Sequence, residues 1–261
     1  MSRRSILKTQ ANVLFAIFFR EIHRKFGDFK LGILWTLLEP MLMLSLFILI
    51  FGLKGSGAFG FVEPPLFILA AFLPFKTIFN DALKTCSKAS NVKRGLATIP
   101  QVTLFDIIIG KMLISYLVGI TVGLIIAILL WWLFDLDPVP DSTIEVLFTI
   151  FSMCAFGAAI GMGICMVQDI AKEIGKMFDM ITFPLLILSA VIYPMTAVPE
   201  PYQSMLAWNP LVHPMEMIRE YWFPKYSSPV ADMVYWYSWV IGAIFFGLML
   251  YRLRWKRVMA L

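Results

Sequence analysis

From Ile107 to Phe134 the chain runs for 28 residues with a single charge, Lys111. A helix of that length extends about 42 Å, against a hydrocarbon core of about 30 Å. It is long enough to cross a bilayer with some tilt. With no water in the core to satisfy backbone groups, a lone spanning segment has to be helical. This stretch fixes the class of the whole chain, because other apolar runs surround it.

Further spans are expected over Gly32–Leu53, Ile144–Val167, Met177–Tyr193 and Val234–Leu253. Another apolar run, Leu66–Phe75, is too short to cross by itself. It continues into Lys76, Asn80 and Asp81, which are expected to lie within the protein or past the inner surface. Pairing of Lys76 with Asn80 and Asp81, and of Asp106 with Lys111, would lower the cost of burying them. The expected fold is all-α: a polytopic membrane protein with six transmembrane helices. Residues 1–31 make a tail and interfacial helix, 32–253 the transmembrane domain and 254–261 a second tail. The interfacial helix is expected because Phe15, Phe18, Phe19, Ile22, Phe26 and Phe29 recur at helical spacing, with Arg20, Glu21, Arg24, Lys25 and Asp28 between them. Its apolar run ends in charge rather than at a small-residue cleavage site, so it does not read as a cleavable signal.

Charge sets the orientation. The chain carries 22 Lys and Arg against 17 Asp and Glu. Seventeen of those 22 bases fall within residues 1–30, 84–94, 172–176 and 252–257, which six spans place on one side. The Asp135–Asp141 loop holds three Asp and no base, and falls on the other. Both termini are therefore expected in the cytoplasm. This distribution removes the pull toward a nucleic-acid partner that a net charge of +5 exerts. Trp131, Trp132, Trp208, Trp236 and Trp239 lie near the expected outer interface, as an aromatic belt would. Gly157 and Gly161, with Gly119 and Gly123, allow close helix approach within the chain or across a dimer seam.

The sequence lacks the motifs of catalysis. Gly110-Lys111 and Gly175-Lys176 are each followed by Met and lack the upstream glycine of a phosphate loop. His23 and His213 fall on opposite membrane faces. Cys86, Cys154 and Cys165 have neither metal-ligand nor disulfide spacing and read as buried thiols. No cofactor or metal is expected on this chain. Uphill movement of a substrate would need energy from a partner.

Two segments carry a family likeness. Arg20-Glu21-Ile22, Phe26-Gly27, Leu31-Gly32, Leu34-Trp35 and Glu39-Pro40 resemble the opening motif of ABC-2 type exporter permeases. Trp208-Asn209-Pro210-Leu211-Val212-His213, with Glu216, Arg219 and Glu220, resembles that family's outer motif. Together they look most like the membrane subunit of bacterial capsular polysaccharide exporters, the KpsM type. The resemblance implies a homodimer with two copies of a separate ATPase, on which ATP and Mg reside. It implies export of lipid-linked capsular polysaccharide across a Gram-negative inner membrane, toward a periplasmic co-polymerase and an outer-membrane channel; export of O-antigen or teichoic acid, and a membrane scaffold that transports nothing, stay open as alternatives. It implies a coupling helix within loop 84–103, at about Ser87–Thr98, with Asn91, Lys93 and Arg94 at the ATPase. The interfacial helix with Arg20, Glu21, Arg24 and Lys25 would form the second contact. It also implies re-entrant helices within the outer segment 195–232, where Glu216, Arg219 and Glu220 are expected to pair. Because pyranose CH groups pack on π-surfaces, Phe47, Phe51, Phe72, Phe75 and Phe79 are candidates to line a channel at the dimer centre.

Overall fold

The computed structural model describes residues 15–23, 32–52, 63–94, 102–168, 170 and 173–260. Side chains of 32–33, 51–52, 92–94, 176, 179 and 259–260 lie outside that description. The architecture is all-α, and no strand occurs among the described residues. In chain order the helices are α1 (15–23), α2 (Gly32–Gly52), α3 (Pro64–Ser87), α4 (Ala89–Arg94) and α5 (Leu104–Phe134). There follow α6 (Thr143–Val167), α7 (Glu173–Leu188), α8 (Tyr202–Leu206), α9 (Val212–Trp222) and α10 (Met233–Ala260). Among the described residues α3, α5, α6 and α10 are long and apolar enough to cross a membrane, and α2 and α7 are shorter.

The run that was too short in the sequence is the first half of α3, the most buried of the long helices. It continues through Lys76, Asn80 and Asp81 as one 24-residue helix. Residues Lys84 to Ser87, expected in the cytoplasmic loop, form its last turn. The helix tolerates these groups because other elements satisfy them. Lys76 pairs with Glu39 of α2 at 2.9 Å. Asp81 accepts a hydrogen bond from Ser115 of α5 at 2.7 Å. The expected pairing of Lys76 with its own helix neighbours is thus replaced by contacts between helices. Pro74, which lacks an N–H, opens a π turn over Pro74–Phe79 in mid-helix.

Small residues let α6 lie against α3. A Cβ on Gly157 would stand 2.5 Å from the Phe79 carbonyl oxygen, and one on Gly161 would stand 2.5 Å from that of Leu83. On α10, a Cβ at Gly247 would stand 2.8 Å from the Ala159 carbonyl of α6. The small-residue stripe of α6 is therefore consumed inside the chain. Trp236 is also internal: it is fully buried, and its Nε1–H donates to Ser152 at 2.8 Å. It leaves the expected aromatic belt, while Trp131, Trp132, Trp208 and Trp239 remain exposed. The three cysteines are buried, with Cys86 and Cys154 directed at the Ile108 and Met112 carbonyls.

Candidate functional site

Two ends of the helix bundle carry the motif residues. At the end expected to be cytoplasmic, α5 starts at a capping box. Thr103 Oγ1 accepts from the Asp106 amide at 3.2 Å, and the Thr103 amide donates to Asp106 Oδ2 at 2.9 Å. Asp106 is spent on that cap and does not pair with Lys111 as expected. Lys111 instead donates to Glu21 Oε2 of α1 at 3.2 Å, with both side chains almost wholly buried. One turn earlier on α1, Ile17 lies over Gly110, where a Cβ would come within 2.8 Å of it. Glu21 is therefore an internal tie between α1 and α5 rather than a surface contact, whereas Arg20 is exposed beside it. Arg24 and Lys25 lie outside the described residues. Helix α4 forms where a coupling helix was expected, with Asn91 exposed. Lys93 and Arg94 belong to α4, and their side chains lie outside the described residues.

At the opposite end α9 carries a buried knot. Helix α7 contains Pro184 and stops at Leu188, and Ala190 takes a left-handed conformation (φ 54) that costs an alanine on the order of 1–2 kcal/mol. The reversed backbone aims its carbonyls at Arg219. That guanidinium, fully buried, donates from Nη1 to the Ala190 carbonyl (2.7 Å) and the Tyr193 carbonyl (3.1 Å). Nη2 donates to the Val191 carbonyl at 2.6 Å. Nη1 also reaches Glu216 Oε1 at 2.7 Å, one turn back on α9. Tyr226 donates to Glu216 Oε2 at 2.6 Å. Burial and the adjoining Glu216 carboxylate raise the Tyr226 phenol well above its ordinary value, so it stays a donor. The Arg219 carbon Cζ lies 4.1 Å from the centroid of the Phe67 ring of α3, which also stacks on Phe223. Glu220 takes no part in this knot; its Oε1 accepts from the Ser228 amide at 2.7 Å.

The rest of the outer motif closes the same segment. Asn209 donates to the Leu188 carbonyl (3.1 Å) and Ser189 (3.0 Å), while its Oδ1 accepts from the Leu211 amide (3.1 Å). Pro210 occupies the turn before α9. His213 Nδ1 accepts from the Asp232 amide at 3.1 Å. Its Nε2 must then carry the proton, and it faces the Ala207 carbonyl at 2.9 Å. Trp208 is exposed and holds Tyr235 through its carbonyl at 2.9 Å. These residues are positioned for architecture: every polar atom named is committed to backbone or to a neighbouring side chain.

The proposed aromatic lining is redrawn. Phe72, Phe75 and Phe79 are buried in the core of this chain, because α3 is enclosed by α2, α5, α6 and α9. Phe79 stacks on Phe156, and Phe47 packs edge-on against Phe72. The Phe51 side chain lies outside the described residues. Sequence reasoning passed over Phe67 and Tyr226, which complete the Arg219 knot, and over the Glu39–Lys76 pair. Only that pair left a signal: opposite charges deep within consecutive apolar helices. No group of three or more His, Cys, Asp or Glu that could hold a metal occurs among the described residues.

Comparison with known proteins agrees with this geometry. Residues 12–223 match the family model described as ABC-2 type transporter. The chain is 30% identical, over 96% of both lengths, to the polysialic acid transport protein KpsM of Escherichia coli. It is 24% identical to the capsule polysaccharide export inner-membrane protein BexB of Haemophilus influenzae, over 83% of this chain and 81% of that one. It is 25% identical, over the same shares, to the capsule polysaccharide export inner-membrane protein CtrC of Neisseria meningitidis serogroup A. The family match and the relatedness along almost the whole length place the chain in the ABC-2 type transporter family, as a transporter membrane subunit.

Proposed function

We propose that this chain is the permease of an ATP-driven exporter that moves lipid-linked capsular polysaccharide across the bacterial inner membrane to the periplasm. The observation that carries the proposal is the match to KpsM along 96% of both chains, joined by relatives named for capsule export. Six spans, with α2 and α7 as the first and fifth, put both termini in the cytoplasm, and α8 and α9 form the re-entrant outer cap. Two copies of the chain assemble with two copies of a separate ATPase, which binds ATP and Mg. The sequence supports that division of labour, since it has no phosphate loop. Helix α4, with Asn91, Lys93 and Arg94, and α1, with Arg20, face the ATPase. The Glu21–Lys111 tie then passes movement of α1 into α5. A periplasmic co-polymerase and an outer-membrane channel receive the polymer.

The test is deletion of the protein in its own cell, followed by localisation of the polymer. Finished capsular polysaccharide should collect in the cytoplasm and vanish from the surface. Normal surface capsule, or accumulated O-antigen in its place, would reject the reading.

A further inference from the structure

Helix α2 leaves a stripe uncovered by the other described residues. Trp35, Glu39, Leu42, Leu46 and Leu49 lie along it at alternating spacings of four and three; the four apolar residues are exposed and Glu39 is half-buried. Glu39 is the anomaly. It lies about 10 Å along α2 from Gly32, and its partner Lys76 about 18 Å along α3 from Pro64. Both distances fall inside a hydrocarbon core of about 30 Å. Their side chains are 45% and 22% exposed, even though they form a 2.9 Å ion pair. A half-exposed ion pair facing lipid at that depth is costly. Such groups face a water-filled path or another protein surface instead.

The surroundings favour a path. Lys76 falls in the π turn of α3, a local distortion found often at functional positions. Beyond it on α3, Asn80 Oδ1 lies 3.4 Å from the Thr182 hydroxyl of α7, which donates to the Phe178 carbonyl of its own helix at 2.9 Å. Glu39, Lys76, Asn80 and Thr182 thus form a polar band across three helices: α2 on one side, α7 on the other and α3 as its floor. Of the phenylalanines considered as lining, Phe72, Phe75 and Phe79 are buried in the core. Helix α7 also exposes Met180, Ile181 and Phe183 beside Thr182, so apolar rims flank the polar floor.

We propose that this band is a polar station of the export path, where hydroxyl and carboxylate groups of passing sugar units exchange hydrogen bonds with Glu39, Lys76 and Thr182. The sugar identity rests on the capsule-export reading; the water access does not. A carboxylate and an ammonium side by side offer both acceptor and donor to a polyhydroxylated chain. They also hold each other when no polymer is present.

Cysteine labelling tests the station, because all three native cysteines are buried and give little background. The permease–ATPase complex in vesicles is treated with a membrane-impermeant charged methanethiosulfonate, which reacts with the water-exposed thiolate. Glu39→Cys and Thr182→Cys should label at least about tenfold faster than Leu124→Cys on the exposed side of α5, because the thiolate needs water. Rates no faster than Leu124→Cys would overturn the proposal, as would disulfide cross-linking of Glu39→Cys between copies without labelling, which marks a closed seam. Glu39→Gln and Lys76→Gln should cut polymer export per ATP hydrolysed, and Glu39→Lys with Lys76→Glu should recover part of it. Rapid labelling in a protein whose loss leaves no capsule inside the cell would reject the sugar cargo and keep the path. Slow labelling in a protein whose loss does trap capsule would reject the station alone.

Discussion

Arg219 is a fully buried charge whose four hydrogen-bond acceptors come from two separated stretches of chain. Its value lies in geometry, since a planar fork can serve the Ala190, Val191 and Tyr193 carbonyls and Glu216 together. Lysine brings a point charge on a flexible stem and cannot reproduce the fork. Arg219→Lys should therefore lower the thermal midpoint of the detergent-purified protein clearly. Arg219→Met should lower it further, because a Glu216 left buried without its partner costs roughly 3–5 kcal/mol. Equal midpoints for wild type and both variants would remove the knot from the account. The sequence exposed part of this arrangement. Glu216 and Arg219, three apart on a helix, were expected to pair and do so. Glu220, one residue on, points off that face and caps the Ser228 amide instead. Phe67 and Tyr226 were not legible: Phe67 is far from Arg219 in sequence, and Tyr226, though close in sequence, lies past the end of α9, where helical spacing no longer marks a neighbour.

At the scale of elements, α3 decides the packing. Its apolar half was visible, but its polar half broke the hydropathy signal. The reason is physical: Lys76 and Asp81 are satisfied by Glu39 and Ser115, partners that a window along the chain does not contain. The same centrality overturned the aromatic lining, since phenylalanine on an enclosed helix fills core. It also settled the glycines of α6, whose spacing was compatible with an internal contact or a dimer seam. A methyl group on Gly157 or Gly161 would meet a backbone carbonyl of α3 at 2.5 Å, and backbone cannot swing aside. Gly157→Ala and Gly161→Ala should each destabilise the protein by the roughly 1–3 kcal/mol typical of overpacking and so lower the thermal midpoint. Gly242→Ala on α10, with nothing within 4 Å of the added carbon, should leave it unchanged. If all three behave alike, α6 does not lie against α3 this way.

The whole molecule is a membrane subunit with two unlike ends. One end holds α1 tied to α5 through Glu21 and Lys111, beside α4; the other is closed by α9 and its buried knot. The class and the family were legible, because membrane-length apolar runs and two spaced motifs survive without tertiary information. The ties between helices were not, since Glu21 and Lys111 are 90 residues apart. In the proposed assembly α4 docks on the ATPase, so Lys93→Glu with Arg94→Glu should sharply reduce the ATPase that co-purifies with this chain. Undiminished recovery would move the docking surface elsewhere. The central claim, ATP-driven export of capsular polysaccharide, is tested most directly in inside-out inner-membrane vesicles containing the chain, its ATPase and lipid-linked polymer. On addition of ATP, polymer should pass into the vesicle lumen and become protected from an added depolymerase. Protection should be lost without ATP or without this chain. Polymer that stays fully digestible with ATP and both subunits present would contradict the account.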